Sequence, residues 1–283
     1  MNSSADLPLG SHAWYFTDGS SCRDPSQPWR RLNLHLPVPQ PGHYCCDDGE
    51  CIHSDLVCDH FDHCDKGEDE KKCSLIKKSI DYDSQAPPTL KLKEGRYTRF
   101  YKTEIHASIN ILSINDFNEE ESKMHLIFDL ELRWKDKLLN YNFLKNDDLN
   151  NSVKSSEDFW KPHVLFTRVF DKDEIDQFNE RIFVHKSGEP QLSSSEDANP
   201  TEVYSGAENW IFLEMIVKGK FTCLFDNNEL YPFGFSQTCS FSMFVSGSDN
   251  FLTNLMADKL SYSGTPAVGQ YKINKALFIN IGS

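Results

Sequence analysis

The chain is 283 residues long, 39% hydrophobic and 12% aromatic, which fits one or two ordinary domains with a real core and excludes a chain that is disordered throughout. Its 29 basic residues face 43 acidic ones, a formal charge of −14. That sign is wrong for gripping phosphate backbones or anionic lipid, so no nucleic-acid partner is expected. The richest apolar stretches, such as Ile211-Phe212-Leu213-Glu214-Met215-Ile216-Val217, are short and broken by charge, so a membrane domain is not expected within this chain.

In chain order, residues 1–40 form an N-terminal segment too short to fold alone. It has a strand-like His12-Ala13-Trp14-Tyr15-Phe16, a lone Cys22 and a stiff Pro37-Val38-Pro39-Gln40-Pro41. The start, Met1-Asn2-Ser3-Ser4-Ala5-Asp6, lacks the basic and apolar regions of a secretory signal. Residues 12–36 faintly resemble the last strand of a laminin-G or pentraxin-like domain, which implies that the beginning of such a domain is clipped.

Between residues 45 and 73 stand six of the nine cysteines, and ten acidic residues against three lysines. So acidic a segment cannot build an apolar core, and disulfides and a cation are the available staples. Such cysteine density argues for an oxidising, extracellular setting. A zinc knot using His53, His60 or His63 is the alternative, although no Cys-x-x-Cys pair is present.

Residues 75–88, ending in Ala86-Pro87-Pro88, read as a linker. Beyond it the text turns strand-like. In 125–134 the residues Leu126, Phe128, Leu130, Leu132 and Trp134 alternate with polar or exposed-face positions, putting one face in a core. Similar runs cover 101–112, 164–170, 210–225, 239–245 and 269–281, while 173–179 and 250–258 are weak helix candidates. The expected fold is mainly β: a β-sandwich of about ten strands with a small disulfide-rich, calcium-type module on its N-terminal side.

Cys46-Asp47-Asp48-Gly49-Glu50-Cys51-Ile52, followed by Cys58-Asp59, Cys64, Asp69-Glu70 and Cys73, resembles the low-density-lipoprotein-receptor class A repeat over residues 41–74. The resemblance implies Cys46–Cys64 and Cys58–Cys73 bridges, with Cys51 left for Cys45 or Cys22. It also implies Ca²⁺ held by the side chains of Asp59, Asp69 and Glu70 and the carbonyls of Leu56 and Phe61, since a short acidic loop suits a hard cation. Two departures stand out. His63 occupies a position where the family has an aspartate, and the family's first cysteine is missing near Pro39. A cation-stapled spacer with no ligand of its own is the plainer alternative.

In residues 89–283 four signatures follow in order: Trp134-Lys135-Asp136, Trp160-Lys161-Pro162, Gly206 with Trp210, and Cys223 to Cys239 enclosing Tyr231-Pro232-Phe233-Gly234. Together they resemble the extracellular ligand-binding domain of pentameric ligand-gated ion channels, the Cys-loop receptors. The resemblance implies a homo- or hetero-pentamer and a Cys223–Cys239 bridge whose loop passes the signal to the pore. Gly234 replaces the family's aspartate in that loop. It also implies a small-molecule ligand at the subunit interface, ordinarily caged as a cationic amine by aromatic faces. Here the cage positions fall on Asp129, Thr167 and Ser246, and alternation turns Phe128 and Phe166 inward. Arg168, Tyr262 and Tyr271 remain as pocket candidates, and a non-nicotinic ligand follows.

No hydrolase, metalloprotease, phosphate-loop or dinucleotide motif occurs, so no enzyme is expected. Asn2 and Asn150 begin N-glycan acceptor tripeptides. The leading expectation is a glycoprotein recognition region on the extracellular side of the plasma membrane. Its rivals are a secreted ligand-binding protein without a pore and an adhesion protein acting through the acidic module.

Overall fold

The computed structural model describes residues 9–15, 29–34, 42–59, 61–71, 73–94, 97–118, 121–154, 157–169, 175–192, 202–223, 239–246, 252–268 and 271–273. Among them the fold is mainly β, with three single 3₁₀ turns (Ser54–Leu56, Glu68–Glu70 and Asp148–Asn151) and no α-helix. The strands are β1 (Gly10–Tyr15), β2 (Trp29–Leu34), β3 (His43–Cys45), β4 (Cys51–His53), β5 (Ile76–Lys78), β6 (Leu90–Glu94) and β7 (Tyr97–Tyr101). Next come β8 (Thr103–Asn118), β9 (Lys123–Trp134), β10 (Leu139–Asn142), β11 (His163–Phe166), β12 (Asp176–His185) and β13 (Gln191–Leu192). The last are β14 (Glu202–Ser205), β15 (Trp210–Thr222), β16 (Met243–Ser246), β17 (Thr253–Tyr262), β18 (Ala267–Val268) and β19 (Tyr271–Lys272). Ribbons as short as two residues bring the strands beyond residue 89 to fourteen among the described residues.

The chain divides into two compact units that interleave in sequence. One takes Met1–Lys78, Leu139–Asn151 and Lys186–Glu208. Its antiparallel sheet runs β13–β14–β10–β5 and buries Ile76, Leu139, Tyr141 and Tyr204. The hairpins β1–β2 and β3–β4 belong to the same unit. Gly10 and Gly49 meet backbone to backbone, both with positive φ. A Cβ on Gly49 would stand 2.8 Å from the Gly10 nitrogen, so neither position tolerates a side chain.

The other unit takes Ser79–Leu138, Ser152–His185 and Asn209–Ser283. Its five-stranded sheet is ordered β12–β15–β9–β8–β17; β17 runs parallel to β8 and the remaining pairs are antiparallel. Period-two patterning decides its faces. Even positions of β9 and odd positions of β15 are buried, while their neighbours are half exposed. The second layer is the β11–β16 ribbon, whose Phe166 meets Phe128 of β9 edge to face at 5.7 Å. Phe221 and Phe241 complete that aromatic cluster, each ring contributing about 2 to 3 kcal/mol on burial.

Within their described residues the two helix candidates are strands instead. Residues 176–179 open β12, and residues 253–258 open β17. Both strands carry a register shift, between Phe178 and Arg181 and between Ala257 and Lys259. A bulge inserts one residue and inverts the phase of alternation, which makes apolar spacing look helical.

Candidate functional site

Within the five-strand unit, the geometry starts from the buried pair Trp134 and Asp136. Trp134 meets Trp160 edge to face at 6.0 Å. The Tyr82 hydroxyl donates to Asp136 Oδ2 at 2.7 Å and accepts from the Trp160 amide at 3.0 Å; Asp136 Oδ1 accepts from the Leu138 amide at 3.0 Å. Burial pushes the Asp136 carboxyl up, and the bonds from Tyr82 and Leu138 only partly oppose it. Trp-x-Asp and Trp-x-Pro are thus tied together through one phenol.

The half-exposed face of the sheet holds the polar chemistry. Asn110 Nδ2 donates to Asp129 Oδ2 at 3.4 Å, and Ser261 and Ser263 donate to Asn110 Oδ1 at 2.9 and 2.6 Å. One register step away, Glu131 of β9 stands opposite Glu214 of β15, which in turn faces Arg181 of β12. Burial first, then the Glu214 charge, raises the Glu131 carboxyl. In the next row Asp258 binds the His106 ring at 2.9 Å and accepts from Arg133 Nη2 at 2.7 Å. Burial pushes the Asp258 carboxyl up, but the bonds from His106 and Arg133 outweigh it, and the net displacement is downward. Arg133 and Lys135 both lie over the Trp210 ring, 5.1 and 4.7 Å from its centroid.

Thr167 and Arg168 lie together at the end of β11. The Thr167 amide donates to the Ser242 carbonyl at 2.8 Å, and Arg168 Nη1 donates to Ser240 Oγ at 2.8 Å. Arg168 has a left-handed φ of 57°, and its carbonyl accepts from the Thr222 amide at 2.7 Å. That contact adjoins Cys223, which is bridged to Cys239 with Cα atoms 4.9 Å apart. The Tyr231-Pro232-Phe233-Gly234 turn lies outside the described residues.

Ser246 stands opposite His163 at the end of β16. Tyr262 ends β17 and donates through its hydroxyl to the Thr265 carbonyl, with its ring against Gly264. Tyr271 pairs with Val268 in the β18–β19 hairpin. Of the six expected ligand residues, Thr167 and Arg168 are neighbours through Ser240–Ser242, and Asp129 reaches the Tyr262 end of β17 through Asn110. Ser246 joins neither group among the described residues, and Tyr271 is placed by its backbone pairing alone. Asn110, Ser261 and Ser263 were not anticipated, although Asn110 at an outward-phased position among apolar neighbours was the available signal.

In the other unit the acidic cysteine module is tied by Cys46–Cys64, Cys58–Cys73 and Cys45–Cys51. The carboxylates that the resemblance assigns to calcium are turned to the backbone. Asp69, 1% exposed, accepts from the His63 amide at 2.7 Å and the Cys64 amide at 3.3 Å. Glu70 accepts from the Asp59 amide at 2.8 Å. Asp59 accepts from the Phe61 amide at 3.0 Å and meets the His63 ring at 3.1 Å. Burial raises the Asp59 carboxyl, and the Phe61 and His63 bonds together turn the net displacement downward. Leu56 and Phe61 have exposed side chains.

Among the described residues, the one metal-type cluster with ligand atoms within 4.8 Å of one another is Cys46, Cys64 and Glu68. Its two sulfurs are bonded to each other and offer no thiolate. Asp59, Asp69 and Glu70 form no such cluster among the described residues.

A family model described as the neurotransmitter-gated ion-channel ligand binding domain matches residues 68–244. Among solved structures, AChBP from Bulinus truncatus, described as sharing a conserved structural scaffold with nicotinic acetylcholine receptors, aligns at 16% identity. The alignment covers 62% of this chain and 70% of that one, with a TM-score of 0.36. No curated protein matches the chain by sequence.

Proposed function

The chain belongs to the neurotransmitter-gated ion-channel ligand-binding domain family, and on that premise we propose that it is the extracellular recognition region of a pentameric channel homologue whose ligand is not a nicotinic amine. The observation that carries this reading is the hydrogen-bonding set around Asp129. Asn110, Ser261 and Ser263 supply donors and acceptors where a caged cation needs ring faces. A ligand read by hydroxyl or amide groups fits such a surface, with Thr167, Arg168, Ser246, Tyr262 and Tyr271 as the further contacts across a subunit boundary. Arg168 is the first link of the output path, because its carbonyl holds the strand that enters the Cys223–Cys239 bridge.

Size-exclusion chromatography with light scattering tests the assembly. A particle of five times 32.6 kDa is expected, and a monomer at every concentration overturns the reading. Carbamylcholine is the probe for the ligand class. No shift in melting temperature is expected, whereas saturable micromolar binding would remove the non-nicotinic assignment.

A further inference from the structure

Lys145 follows β10 in a loop closed on itself by Asn151. The Lys145 amide donates to Asn151 Oδ1 at 2.7 Å, and Asn151 Nδ2 returns a bond to the Lys145 carbonyl at 2.9 Å. Asn151 is fully buried and Lys145 is 9% exposed, so the loop aims one long side chain. Its ammonium enters the acidic module, and Nζ donates to the carbonyls of Ser54, Asp55 and Val57 at 2.9, 2.8 and 2.8 Å. An ammonium has three donors, and all three are used on one 3₁₀ turn of the module. Burial draws the ammonium down from its ordinary value, and the charges of Asp55, Asp59 and Glu70 oppose that displacement. The anions around it are therefore those of the loop from which a divalent cation's ligands were expected.

We propose that the Lys145 ammonium, supplied by this chain's own 143–151 loop, takes the place of a divalent cation as the internal counter-charge of the acidic cysteine module. The module accordingly holds its fold without calcium. Two features of the geometry point the same way. The three carboxylates expected to ligate calcium each accept bonds from backbone amides, and the carbonyls of Ser54, Asp55 and Val57, which flank the Leu56 carbonyl expected at calcium, converge on Nζ.

The test uses the full chain, wild type and Lys145→Met, with amide hydrogen exchange read over residues 42–71. Each is measured in EDTA and again in calcium chloride up to about 1 mM, the weak end for extracellular calcium modules. Wild type is expected to show the same protection in both solutions. In Lys145→Met the amides of 54–59 are expected to exchange at least about tenfold faster, the scale for losing a charged hydrogen bond. Loss of wild-type protection in EDTA overturns the proposal, as does a Lys145→Met chain whose 54–59 amides exchange like wild type. If Lys145→Met does not fold, the wild-type EDTA comparison still decides, and saturable calcium binding that raises wild-type protection counts against the proposal.

Discussion

The Tyr82 phenol joins two buried groups, the Asp136 carboxylate and the Trp160 amide. Replacing it with phenylalanine leaves Asp136 Oδ2 without its donor and the Trp160 amide without its acceptor, each costing about 1 to 3 kcal/mol. Tyr82→Phe is therefore expected to lower unfolding free energy by about 3 kcal/mol, read as a lower urea midpoint at unchanged slope. Asp136 adds a pH signature. Its folded carboxyl titrates above the ordinary value because it is buried, so the folded state keeps a proton that the unfolded state has released. The stability this contributes is fully present below the unfolded carboxylate range and is lost as pH rises through the folded one. Asp136→Asn is expected to be relatively better tolerated at pH 7 than at pH 3.5, and urea midpoints across that interval measure the difference. A constant difference between variant and wild type would show that Asp136 titrates alike in both states.

At the scale of elements, Glu131 and Glu214 face each other across neighbouring strands, and like charges opposed in a sheet destabilise it by a few tenths to about 1 kcal/mol. Glu214→Gln is expected to stabilise the chain by that amount near neutral pH and to have a smaller effect at pH 3, where the Glu131 carboxyl, raised by burial, carries its proton. It should also flatten the fall in stability that a raised Glu131 produces as pH climbs through its folded value. Thermal melts at the two pH values check both statements, provided Arg181, which also faces Glu214, stays folded against β15. The Cys223–Cys239 bridge closes a separation of 16 residues, and the loop-entropy scale gives it about 3 kcal/mol. Cys223→Ser with Cys239→Ser is expected to lose that amount in denaturant melts. These strands also show what the sequence made legible. β9 was readable because every second residue from Met124 to Trp134 is buried, an unbroken period of two. β12 and β17 were not, because Asn179 with its left-handed φ and the shift at Ala257 and Lys259 reset the phase within a single strand.

The class A resemblance implied two of the three bridges in residues 45–73 and left Cys51 open between Cys45 and Cys22, yet nothing local to Lys145 distinguishes it from the other lysines. Its partners lie 88 to 91 positions earlier, and only tertiary folding brings them together. The same holds for the whole molecule. One compact unit gathers residues 1–78, 139–151 and 186–208. Within that unit β10 pairs with β5 on one side and β14 on the other, and Lys145 bonds the acidic module, so the module shares its unit with segments far along the sequence. Among the described residues, the unit containing the five-stranded sheet draws no strand from residues 1–78. Removing residues 1–74 therefore deletes all three carbonyl acceptors of Lys145 and the chain leading into β5, while every strand pair of the five-stranded sheet keeps its partner. Hydrogen exchange on the shortened chain is expected to show lost protection at 139–151 and 202–205, with 124–134 and 211–221 protected as in the full chain. Equal loss in both sets would mean that the sheet depends on the module for its fold. Equal retention would mean that the 139–151 loop holds itself through Asn151 alone, and that the module is a dispensable spacer.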